Sequence, residues 1–174
     1  MAFSLPLGNV LDIIPAIIPV DLQSATNNGD YVKLTNAAGV LFVVFKAIGT
    51  AGDDPVISVA QATDASGTSS KALTAIRRVF LKEGTALTAV TTWSETEPAT
   101  NPGSTYSMDA TSAESQALCC FYIQSSDLDV DNGFDWVRVA IADVGSNAQI
   151  GCSLYILVGL SYPSAPAKLS SAIS

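Results

Sequence analysis

The chain is predicted to be an all-β protein, an antiparallel β-sandwich or jelly roll of about eight strands with an extended N-terminal arm. Three observations lead there. Short runs rich in Val, Ile, Phe and Thr recur at intervals of roughly 8–12 residues. Gly-, Asn-, Asp- and Pro-rich turn chemistry separates them. No long amphipathic helical pattern lies between them, which argues against a parallel α/β sheet.

The elements follow in order. Residues 5–22 are apolar but hold Pro6, Pro15 and Pro19, with Ile-Ile-Pro repeated. Proline fixes φ, removes a donor and drives its predecessor into extended geometry. The segment is expected to be extended and ill suited to a central strand. It has two possible fates, the edge of its own domain or an arm onto a neighbour. Residues 1–22 are assigned as the arm, with Ile13, Ile14, Ile17 and Ile18 as partner-contact residues. Residues 23–162 form the sandwich, and the Pro/Ser/Ala-rich residues 163–174 a flexible tail.

Asn27–Asp30 and Asn36–Gly39 are turn signals flanking a short strand at Tyr31–Leu34. Val40–Ile48 is a continuous apolar run and the best central-strand candidate. Val56–Ala62 alternates as a half-buried strand does. Ala72–Leu81 is assigned as strand, Lys82–Thr85 as a turn, and Ala86–Trp93 as a Thr-rich strand. Ser94–Thr105, with Pro98, Pro102 and Gly103, is a long loop. One helical turn is expected within Ala110–Gln116. Ala117–Gln124, Asp135–Ala142 and Gln149–Leu160 complete the strands, with an acidic loop at Ser125–Gly133.

Composition excludes several functions. The 174 residues carry a net charge of −8 and only 14% charged residues. Eight basic residues, of which only Arg77 and Arg78 are adjacent, do not make the basic face that nucleic acid requires. The acidic balance also disfavours anionic lipid, and no apolar run is long enough to span a bilayer. Low charge suits burial in subunit contacts, whose cores are depleted of charge. The chain contains no histidine. That removes Ser-His-Asp and Cys-His catalysis and every His-containing zinc site. No phosphate-cradling glycine motif occurs. Cys119, Cys120 and Cys152 are read as reduced, small apolar fillers.

Four groups invite chemistry. Asp127, Asp129 and Asp131 alternate as a calcium loop begins, but position six is Asn132 and position twelve is Arg138. They are weak metal candidates, set against a solvated turn. Asp53-Asp54 is a carboxylate pair in a Gly-rich loop. Trp93 with Glu95 and Glu97 resembles a sugar site in residue type alone. Arg77 and Arg78 would point to opposite faces of a strand. The expectation is no enzyme and no cofactor.

One stretch adds a resemblance. Phe45–Leu73, running through Gly49-Thr50-Ala51-Gly52-Asp53-Asp54-Pro55, resembles small virion proteins of tailed bacteriophages. Thr111–Leu118 and Ser126–Arg138 share the likeness, which covers residues 9–160. It implies a capsid decoration or cement protein on the virion exterior, made in the host cytoplasm. Its implied partners are the major capsid protein or other virion proteins. A homo-oligomer is expected, a trimer among the options. The alternatives are a tail or neck component, or a carbohydrate-binding module using Trp93.

Overall fold

A computed structural model describes residues 7–85, 92–108, 115–142, 145, 147–162 and 169. The strands are β1 (Leu11–Asp21), β2 (Asn27–Asn28), β3 (Val32–Lys33), β4 (Gly39–Lys46), β5 (Val56–Ala62), β6 (Lys71–Ala72), β7 (Val79–Gly84), β8 (Ser94–Thr96), β9 (Thr105–Ser107), β10 (Gln116–Gln124), β11 (Trp136–Ile141) and β12 (Ile150–Val158). Two 3-10 turns, Ser125–Asp127 and Val130–Asn132, link β10 to β11. Among the described residues no helix is long and apolar enough to cross a membrane.

The fold is all-β, with two antiparallel sheets around one core. The first sheet is ordered β1-β12-β4-β10-β7-β8. The second is ordered β2-β11-β5-β6, with β3 also on β11 and β9 also on β5. Alternation decides what enters the core. Phe42 and Val44 of β4, Cys119, Phe121 and Ile123 of β10, and Tyr155 and Leu157 of β12 point inward from the first sheet. Ile57 and Val59 of β5 and Val137, Val139 and Ile141 of β11 meet them from the second. Phe42 stacks on Phe121 at 4.8 Å between ring centroids and meets Tyr155 edge-on at 5.3 Å.

Tyr155 also ties the sheets together. Its hydroxyl accepts the Val139 N–H (2.9 Å) and donates to the Asp30 carbonyl (3.0 Å). Burial pushes its phenol far above the usual value, so it serves as a fixed neutral donor and acceptor. Gly29 makes room for it. A Cβ there would lie 2.6 Å from the Tyr155 hydroxyl.

The structure revises several expected elements. Residues 11–21 do not reach outward. They form β1, an edge strand paired in cis with β12 from Leu11↔Val158 to Asp21↔Ile150. Register shifts fall between Pro15 and Ile17 and between Ile17 and Val20. An edge is where a strand tolerates proline, because one side of its ladder is unpaired. Asp12 on β1 is buried, and that burial raises its carboxyl above the usual range. The turn expected at Lys82–Thr85 is largely strand: Lys82, Glu83 and Gly84 pair with Leu118, Ala117 and Gln116 of β10. Ala72–Leu81 is broken into β6, a bridge at Ile76 and the start of β7. β8 lies inside the expected long loop, and β9 begins at its last residue, Thr105. Most of the strand placed at Ala86–Trp93, residues 110–114 of the expected helical turn, residues 1–6, and the tail but for Leu169 lie outside the described residues, while Gln116 at the end of that turn opens β10.

Replacing Tyr155 with Phe removes the inter-sheet hydroxyl and leaves the buried Val139 N–H without its partner. The expected cost is about 1–3 kcal/mol, read as a lower denaturation midpoint at unchanged slope. An unaltered midpoint would remove this bond from the account.

Candidate functional site: an apolar sheet face

The same alternation that fills the core sends every second residue of the first sheet outward. Register places these residues in rows. One row runs Ile13, Ile156, Leu41, Tyr122. The next runs Pro15, Leu154, Val43, Cys120, Phe80. A third runs Cys152, Phe45, Leu118, with Lys82 at its end. Ile150 continues the β12 column. Ile13, Phe45, Phe80, Tyr122, Ile150 and Leu154 are all exposed. No charged residue faces outward from β1, β12, β4 or β10 in these rows. Charge begins at the borders, with Asp21 beside Ile150 at the end of β1, and with Lys82 and the Arg78–Glu95 ion pair at 2.8 Å at the β7–β8 border.

The second sheet behaves differently. Its outer positions include Ser58, Arg138 and Lys33, and Lys33 pairs with Asp135 at 3.1 Å. An antiparallel sandwich ordinarily has such a solvated face. The twelve apolar positions of these rows, about 4.8 Å apart between strands and about 6.6 Å apart between rows, outline about 400 Å² of apolar face on the first sheet. A monomer seldom leaves more than a few hundred Å² of contiguous apolar surface exposed. Covering about 400 Å² is worth roughly 10 kcal/mol before the costs of association.

The four isoleucines expected to contact a partner divide. Ile13 and Ile18 are exposed, at 50% and 66%. Ile14 and Ile17 are in the core, at 2% and 7%, so they cannot touch a partner without unpacking the domain. Edge pairing with β12 turns one face of β1 inward, and the register shift between Pro15 and Ile17 brings both Ile14 and Ile17 onto that face. Sequence reasoning missed the larger part of the face, which lies on β4, β10 and β12. The signal was present: these strands are apolar at both parities.

The acidic loop is ion-paired. Arg77 grips Asp127 through both guanidinium nitrogens, at 2.8 and 3.0 Å. Lys71 bonds Asp129, whose Oδ1 accepts from Asn132 at 2.7 Å. These hydrogen bonds, Lys71 first, hold the Asp129 carboxyl below its usual range. Its contribution is therefore present above the unfolded carboxylate value near 3.9 and lost as pH falls through the lower folded value. Gly133, at φ 83°, closes the second turn in the left-handed conformation. Among the described residues no three His, Cys, Asp or Glu side chains converge on a metal position.

The other groups are also dispersed. Asp53 is buried and accepts from Asn147 at 3.2 Å, while Asp54 is part-exposed. Trp93 is half-exposed, but the Lys82 ammonium sits 4.8 Å from its ring centroid. Glu95 is engaged by Arg78, and Glu97 is exposed. A cleft of about 770 Å³ between β5, β7 and β9 is lined by Thr and Ser together with Val56, Leu81, Pro102 and Tyr106, and holds one carboxylate, Glu83. Cys119, Cys120 and Cys152 are free thiols, and burial raises all three above the usual thiol value. Arg77 and Arg78 go to different partners, Asp127 and Glu95.

Compared with family models, curated proteins and solved structures, the chain matches none.

With Asp127 and Asp129 committed to Arg77 and Lys71, calcium at about 1 mM is expected to leave the thermal midpoint within about 1 °C, because only a ligand that binds the folded state raises it. A rise of several degrees, reversed by chelator, would establish a site instead.

Proposed function

We propose that the chain is a structural component of a tailed-phage particle, a decoration or cement protein on the capsid exterior. It stabilises the shell by bridging capsid subunits and performs no catalysis. The observation that carries this reading is the first sheet's uncharged outer face, which needs another molecule to cover it. Repetition of one such contact over a lattice turns a modest term into a large one.

The strand order favours a jelly-roll reading of the sandwich. β1 pairs with β12, β2 and β3 with β11, β4 with β10, and β5 with β6. These pairs are nested, as they would be if one long hairpin were wrapped into two sheets. In this reading β7 and β8 widen the first sheet beyond β10. The resemblance of Phe45–Leu73 to tailed-phage virion proteins agrees. That stretch spans the end of β4, all of β5 and β6.

The test is location. Peptide mass spectrometry of purified particles, followed by imaging with a specific antibody, should find the chain at high copy number over the shell. A few copies confined to one vertex would favour a tail or neck role. Absence from particles would overturn the reading.

A further inference from the structure

We infer that the outer face of the first sheet is a self-association surface, mated to the same face of a second copy about a two-fold axis running along β4. It shares with the proposed function the need for that face to be covered, and in the dimer a second copy covers it, so contacts with the shell fall to the remaining surface.

Three observations select a second copy as occupant. The first is charge. Each copy carries −8 overall. Two such chains approach most closely through a face poor in acids, and on the β1-β12-β4-β10 face the one acid is Asp21, beside Ile150 at the end of β1. The second is area. A face of about 400 Å² mated to itself buries about 800 Å², in the range of a weak, reversible interface.

The third is complementarity of size. A two-fold axis along β4 keeps each row at its own height and exchanges the strands on either side. The β12 column then faces the partner's β10 column. Leu154 meets Cys120, Cys152 meets Leu118, and Ile156 meets Tyr122. Large side chains face small ones in two of these three rows, as interdigitated layers require. Leu41, Val43 and Phe45 lie on the axis and meet their own copies. Sheets packed this way sit about 10 Å apart, room for one layer from each side. Lys82, Arg78 and Glu95 fall at the rim, where polar residues belong.

The experiment is sedimentation equilibrium from about 1 to 100 µM, the range over which weak to moderate self-association is read. It uses wild type, Leu154→Lys, Cys120→Glu, and an equimolar mixture of the two variants. Wild type should show twice the 18.0 kDa chain mass. Each variant alone should dissociate at least about a hundredfold more readily, as expected for a charge buried without its partner. The mixture should recover the dimer, since 154 of one copy faces 120 of the other. A wild-type monomer throughout, or a trimer, overturns the proposal. So does a dimer indifferent to both substitutions. Loss in each variant without recovery in the mixture overturns the axis. The wild-type mass stands even where a variant fails to fold. A dimer absent from particles would refute the particle reading and keep this one, and a monomer built into shells would do the reverse.

Discussion

A strand that is apolar at both parities has no face suited to water, and the first sheet is built from three of them. β4, β10 and β12 place Phe42, Phe121 and Tyr155 inward and Val43, Cys120 and Leu154 outward in the same registered rows. The second sheet covers only the inward set. The position of β1 follows from this. Its apolar residues extend the sheet at β12, and its prolines make it a strand that must stop there. The chain thereby protects one edge and enlarges the outer face in a single element. The position of charge follows too. Arg77–Asp127, Lys71–Asp129 and Lys33–Asp135 join loops and strands away from the sheet's outer centre.

The inner half of this arrangement is readable in the chain. Val56–Ala62 alternates and is a strand with those bounds, and the apolar runs at 40–48, 117–124 and 149–160 mark the central strands to within two residues. Local chemistry fails where tertiary pairing overrides it. Lys82-Glu83-Gly84 has the composition of a turn, but β10 supplies a ladder to pair with, and the segment stays extended. Ser94–Thr96 and Thr105–Ser107 are too short and polar to signal strands before β7 and β5 offer them edges.

The candidate face was half legible for a related reason. Ile13, Ile14, Ile17 and Ile18 stood out together because proline follows each Ile-Ile pair. Which isoleucines turn inward depends on the register with β12, including two shifts, and no local pattern encodes that. The carboxylates of the acidic loop were visible, but their partners lie 50 and 58 residues away. A run of Asp that reads as a cation site in isolation becomes a set of ion pairs once β6 and the segment before β7 are brought alongside.

The cysteines give the most direct test that the outer face is covered. Cys120 and Cys152 lie on it, half-buried in the single chain, while their neighbour Cys119 points into the core. Residue-resolved maleimide labelling over a dilution series should find Cys120 and Cys152 protected at high protein concentration and reactive once the chain is dilute. Cys119 should stay unlabelled until the fold is denatured. Labelling of Cys120 and Cys152 at a rate independent of protein concentration, with Cys119 still silent, would contradict the account.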